Sequence, residues 1–288
     1  MISRREFIGA AALTTLASCV SVRTSAAAGR KLDFQIVGDF GKASAADIRA
    51  VLVSAGGALW QHCPDTRWEM PGFYIYHRTQ APICDFNHRA DGRIAIGLTT
   101  QGNHWSQLAY QFAHEFCHAL AGHSNDWRKT WIKGRKANHW LEESLCETAS
   151  LFAMRAMGRS WQTTPPYPNW KDYSASLTKY AQDRLDKTAR DFPGGSDFGV
   201  WFHENEALLR QKSALREKNN VVVAQLLPLF EAQPAGWEAV TFFNLGKRER
   251  EQTLAAHVAD WSACAPATQR EFIKKIATVF NVEVQEKT

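Results

Sequence analysis

The sequence predicts an α+β fold in which a few short strands and a backing helix come first and long helices fill the remainder. Leu32–Val37, Gly72–His77 and Arg93–Thr100 carry the apolar alternation of half-buried strands. Further along, Leu108, Phe112 and Phe116 recur at four-residue spacing, the stripe of a helix with one buried face. The chain has 288 residues, 45% of them hydrophobic, enough to bury a sizeable core. Its formal net charge of +5 is too small to argue for a nucleic-acid partner.

Each element has a local reason. After the first strand, Ser44 with Asp47 three residues on is a capping-box variant that opens a helix running to about Trp60. The strand at 93–100 ends in a Gln101-Gly102-Asn103 turn, and a helix follows from Trp105 with Gly122 as its stop. The edge of that strand is placed to pair with an extended peptide. Trp127 to Lys136 is basic with Trp131 interleaved and reads as a solvated connection ahead of a site for anionic ligands or a membrane surface. A second helix begins near Asn138 and runs to about Gly158. The segment Thr163-Thr164-Pro165-Pro166-Tyr167-Pro168 marks a boundary, beyond which the chain is mostly helix-patterned, as in Tyr173–Arg190 and Arg270–Phe280. No internal repeat is visible. The eleven tryptophans are expected to serve the core.

Chemistry concentrates in the helix from Trp105. His114, Glu115, Phe116, Cys117 and His118 spell H-E-x-x-H. Residues four apart lie above one another on a helix, so His114 and His118 can offer ring nitrogens to one metal ion. Glu115, beside the first histidine, is where a general base for an activated water belongs. A catalytic zinc site takes three protein ligands and leaves a position open, so a third donor is needed. Glu143 and Glu147, four apart in Trp140-Leu141-Glu142-Glu143-Ser144-Leu145-Cys146-Glu147, are candidates for ligand and supporting carboxylate. Glu142 and Glu143 also suit the N-terminus of a helix for its dipole alone. His123 competes as ligand, but with Gly122 it falls four and five residues after His118, where H-E-x-x-H-x-x-G-x-x-H needs three and six. His104 and His139 read as loop or helix-end residues.

H-E-x-x-H followed by W-L-E-E-S-L resembles the gluzincins, the zinc metallopeptidases that include thermolysin-like and aminopeptidase-type enzymes. The resemblance covers about residues 93–157. It implies a zincin-like catalytic domain, a zinc ion held by His114, His118 and Glu143, Glu115 as general base, and Glu147 bracing a ligand histidine. Glu142 stands where those families carry asparagine. Gluzincins commonly take an oxyanion donor from the chain after the glutamate helix, which makes Tyr167, Tyr173, Tyr180 and His203 candidates. Gluzincin aminopeptidases bind the substrate amino terminus through a glutamate on the strand before the metal helix. Between Glu69 and His114 the acidic residues are Asp85 and Asp91, with no G-x-M-E-N-like segment, which tilts the expectation towards endopeptidase action.

Ser3-Arg4-Arg5-Glu6-Phe7-Ile8 resembles a twin-arginine export signal, followed by a weakly apolar stretch to Val22. Ala26-Ala27-Ala28 suits signal-peptidase cleavage, and Leu16-Ala17-Ser18-Cys19 resembles a lipoprotein box that would anchor the chain through a lipidated Cys19. The expected organisation is a signal over 1–28, a zincin-like metallopeptidase domain over 29–162 and a helical lobe over 163–288. The expected location is the periplasm or cell envelope of a bacterium, and the expected partner is a peptide or protein substrate. A non-catalytic zincin-like binding or scaffold protein is the alternative. Apart from Cys19 there are five cysteines. Cys63 and Cys84 flank one strand and could pair, while Cys117 and Cys146, on the two proposed ligand helices, allow a cross-link, a second metal contact or burial, with burial the default.

Overall fold

The computed structural model of the chain describes residues 31–64, 70–85, 87–122, 137–192, 194–246 and 251–283. The proposed signal, Cys19, His123 and the basic connection at 127–136 lie outside the described residues. In chain order the elements are β1 (Phe34–Val37), α1 (Ala45–Trp60), β2 (Phe73–His77), β3 (Ile83–Cys84), β4 (Ile94–Leu98), α2 (Trp105–Gly122) and α3 (His139–Ser160), followed by α4 (Tyr173–Asp191), α5 (Phe198–Gln211), α6 (Arg216–Ala232), α7 (Trp237–Val240), α8 (Leu254–Cys264) and α9 (Ala267–Val279). The fold is therefore mixed α+β and mainly helical. No described helix is long and apolar enough to cross a membrane.

The sheet has the order β1-β2-β4-β3, with β1–β2 and β2–β4 parallel and β3–β4 antiparallel. Register puts Phe34 opposite Phe73 and Phe73 opposite Ile94, so these side chains share one face. That face packs on α2: the Phe73 ring lies 6.2 Å from Phe112 and 5.5 Å from Phe116, both on the helix stripe seen in the sequence. α1 packs beside α2, and its Ser44 hydroxyl accepts from the Asp47 N–H at 3.0 Å, the cap the sequence announces. On the other face, a Cβ at Gly97 would meet Tyr76 Cζ at 2.8 Å, which accounts for the glycine in mid-strand.

The strand at 93–100 was expected to offer its edge to substrate. Instead β4 lies between β2 and β3, so its hydrogen-bonding edges are occupied. The free edge on that side belongs to β3, two residues too short to show a period.

α3 is the centre of the helical part. Trp140, Leu141, Leu145, Ala149, Met154 and Met157 are all buried, as are Ser144, Thr148 and Ser150, so the helix has no solvent face over most of its length. It packs against α1, α2, α4, α5 and α6. The polar side chains satisfy themselves: Ser144 and Thr148 donate to carbonyls one turn back, and Ser150 donates to the Tyr110 carbonyl of α2 at 2.9 Å. One core cluster runs from Phe34 to Phe280, through both the strand region and the C-terminal helices, and the chain from Lys31 onward is one compact unit. Cys63 and Cys84, which could have paired, are not joined in a disulfide, and the Cys63 thiol donates to the Leu59 carbonyl at 3.8 Å; they and Cys117 and Cys146 are buried.

Candidate metal centre

α2 and α3 cross with their chemically active turns facing. His114 and His118 stack along α2 with ring centroids 5.2 Å apart, as their spacing requires. From α3 the Glu143 carboxylate enters between them: Oε2 lies 3.3 Å from His114 Nε2 and Oε1 3.7 Å from His118 Nε2. The opposite ring nitrogens face other carboxylates of α3. His114 Nδ1 is 3.5 Å from Glu147 Oε2, and His118 Nδ1 is 3.0 Å from Glu142 Oε1. A carboxylate on Nδ1 fixes each ring and turns its Nε2 towards Glu143. Glu147 in turn accepts a hydrogen bond from the Tyr110 hydroxyl.

Donor atoms of His114, His118 and Cys146 lie within 4.8 Å of one another, a group that could hold a metal ion. Cys146 is fully buried and hydrogen-bonded with Cys117, and burial raises its thiol pKa well above the ordinary range. It does not line the cavity of about 310 Å³ that opens at the site, whereas His114, His118, Glu115 and Glu143 do. The 3.3 and 3.7 Å contacts of Glu143 with the two Nε2 atoms are close to the spacing of about 3.3 Å that donors sharing one zinc ion at about 2.0 to 2.1 Å would take.

The electrostatics follow from crowding four carboxylates against three imidazoles. Burial alone would raise the Glu143 pKa, but hydrogen bonds from His114 and His139 and the charge of His118 hold it below the carboxylate range. Glu147 is lowered in the same way by His114 and Tyr110. Burial opposes the charged form of His114 and is outweighed by Glu143, Glu147 and Glu115, which raise it well above 6.5. Glu115, 5% exposed, goes the other way: burial raises its pKa against the charges of His114 and His118. The Cys84 backbone N–H donates to it, tying the candidate base to β3.

His139 was read as a helix-end residue. It is the first residue of α3, yet its Nε2 lies 3.0 Å from Glu143 Oε1 and it lines the cavity. The signal was available, because His139 precedes Glu143 by the same four residues that separate His114 from His118. Burial lowers its proton affinity, and contacts with Glu142 and Glu143 overcome this and raise the pKa to about 9. Glu142, legible only as a helix-start charge, is 1% exposed between His118 and His139.

The four candidate oxyanion donors, none of which the sequence singles out, do not line this cavity. Tyr167 packs on Trp170 at 4.9 Å, the Tyr173 hydroxyl accepts from the Ser106 N–H, and the Tyr180 hydroxyl accepts from Arg184. His203 lines a separate cavity with Phe202 and Arg210. Tyr110, Arg216 and Asn219 border the cavity at the candidate centre instead. His104 sits just ahead of α2, where its carbonyl accepts the Leu108 N–H, in keeping with a helix-end role. Comparison of the chain with protein-family models, with curated proteins and with solved structures finds no match.

Proposed function

We propose that this chain is a zinc-dependent metallopeptidase that uses His114, His118 and Glu143 as ligands and Glu115 as general base. The observation that carries the reading is the Glu143 carboxylate lying 3.3 and 3.7 Å from the two Nε2 atoms of an H-E-x-x-H helix, with Glu115 buried in the same cavity. Zinc bound there supplies Lewis acidity, which polarises a scissile carbonyl and eases loss of a proton from water. Glu115 takes that proton on its carboxylate and returns it to the departing amide nitrogen; its raised pKa brings it closer to the pH at which it must do both. Glu147 and Glu142 hold the imidazole rings, and burial of the site strengthens each of these contacts. His139 is the ring N–H donor nearest to Glu143 from its own helix and steadies that carboxylate.

The experiment is turnover of a peptide library by protein of known metal content, with and without a chelator. Zinc-dependent cleavage is expected. Zinc-loaded protein that cleaves nothing would favour the scaffold reading, in which a metal is structural. One observation supports that second reading, the thiol of Cys146 near the two histidines, since cysteine and histidine are the donors of structural zinc sites.

Export by a twin-arginine signal to the periplasm or cell envelope goes with this reading. Folded export would let the zinc site assemble before translocation. A reporter active only after folded export should be exported by residues 1–30 and retained after Arg4→Lys with Arg5→Lys. Loss of palmitate incorporation in Cys19→Ala would identify a lipoprotein.

A further inference from the structure

We propose that the first turn of α6 is a carboxylate-binding subsite beside the metal centre, so that the substrate is a peptide engaged by its carboxyl-terminal residue. This rests on the hydrolase reading above and replaces its tilt towards internal cleavage, which came from a motif the chain lacks.

The metal cavity has two flanks. Ala81 to Cys84 line it where β3 packs on α2, and Ala214, Arg216 and Asn219 line it where α6 packs on α3. Among the described lining residues Arg216 is the lysine- or arginine-type cation, facing a site rich in carboxylates. Its side chain is 63% exposed, and its one ion-pair contact among the described residues is Nε to Glu147 Oε1 at 3.4 Å. Arginine carries five N–H donors in a planar fork, so most of them stay available to a ligand. Glu147 also touches His114 Nδ1, at 3.5 Å, so one carboxylate group separates the guanidinium from a ligand histidine. One or two residues of extended chain, at about 3.5 Å each, cover such a separation.

Two further features point to what binds. The N-cap of α6, Leu215, makes no side-chain cap; the Lys218 and Asn219 N–H groups donate to its carbonyl, Glu217 is the acidic residue of the first turn, and the positive dipole end of this 17-residue helix adds to the field of Arg216. Asn219, one turn in, is 2% exposed; its Nδ2 donates to the Ser213 carbonyl at 2.8 Å, while its Oδ1 is buried without a partner. A buried acceptor left unpaired costs stability that an incoming N–H recovers. The subsite thus asks for an anion and an N–H close together. A peptide's last residue supplies both, a carboxylate and an amide N–H on one Cα, and that amide is the bond a carboxypeptidase cuts. An internal stretch of peptide supplies the N–H without the anion, and inorganic phosphate supplies no amide.

The test has a binding arm and a turnover arm on the full zinc-loaded chain. Binding of acetyl-Ala-Phe and of its carboxyl-terminal amide is measured by calorimetry in a Glu115→Gln background, where cleavage is slowed enough for binding to be read. The acid should bind about 10- to 100-fold more tightly, the range of a charge-assisted hydrogen-bonded contact. Arg216→Gln should erase the difference at unchanged zinc content, and Arg216→Lys should keep part of it. Acid and amide binding alike, or a difference that survives Arg216→Gln, would overturn the subsite. In the turnover arm, wild type should release single residues from the carboxyl ends of free-acid peptides and spare their amides. Equal internal cleavage of both forms would overturn the subsite and leave the hydrolase reading standing. Arg216-dependent acid binding without turnover of any peptide would do the reverse.

Discussion

Glu115 and Glu143 are both buried carboxylates in one cavity, yet their proton affinities are pushed apart, Glu115 up by burial and Glu143 down by the histidines around it. Such a split suits the roles proposed for them, the carboxylate held ionised as ligand and the one that regains protons readily as base. Glu115→Gln keeps size and polarity but cannot take a proton. Peptide turnover should fall about 100- to 10,000-fold while zinc stays near one per chain by metal analysis. The two candidates for third ligand separate just as directly. Glu143 lines the cavity between the Nε2 atoms, and Cys146 is fully buried against Cys117. Zinc titration should show Glu143→Ala losing affinity by at least about 100-fold, on the scale of removing one ligand, and Cys146→Ala changing it little. The opposite order would make Cys146 the ligand and favour a closed structural site.

At the scale of elements, the centre is a meeting of two helix faces, each carrying residues four apart. Its imidazoles and carboxylates pair across and along the two helices, and pH acts on that pairing. In chelator-stripped protein, His139 has a folded pKa of about 9 against 6.5 for a free imidazole. A raised histidine contributes stability in full below pH 6.5 and loses it as pH climbs through about 9; His114, raised well above 6.5, acts in the same direction. Glu147 and Glu143, lowered from 4.5, contribute above that value and lose their effect as acid protonates them. The melting midpoint of stripped protein should therefore decline from pH 6.5 to 9 and also below pH 4.5. His139→Gln should flatten the alkaline decline in a thermal-melt series. A slope identical to wild type would mean that His139 is not held by Glu142 and Glu143.

At the scale of the whole molecule, α3 carries Glu143 and is also the helix that α1, α2, α4, α5 and α6 surround. The close approach of α4 shows in Gly158, where a Cβ would fall 2.3 Å from Thr178 Oγ1. The Pro-rich segment at 163–168 joins α3 to α4 without interrupting the core. A chain ending at residue 162 would leave α3, whose side chains such as Leu151 and Met154 are buried, without the α4 and α6 that pack on it. It should show no cooperative denaturant transition by tryptophan fluorescence, whereas residues 31–288 should show one. A cooperative transition in the short chain would make the C-terminal helices an appended lobe.

What the sequence by itself determined is what repeats along the chain. The phenylalanine stripe of α2, the Ser44 cap of α1 and the H-E-x-x-H spacing are local, because a helix converts spacing into a shared face without help from the rest of the molecule. His139 was legible by that same rule through its spacing to Glu143. The rest was decided by tertiary structure. β3 has two residues and no period of its own; it exists because β4 offers it an edge. Glu142 reads as a helix-start charge until His118 from another helix stands 3.0 Å away. Arg216 lies 69 positions beyond Glu147 in the chain and reaches it because α6 packs on α3. Spacing along a chain specifies which side chains share an element's face, and only packing specifies which faces meet.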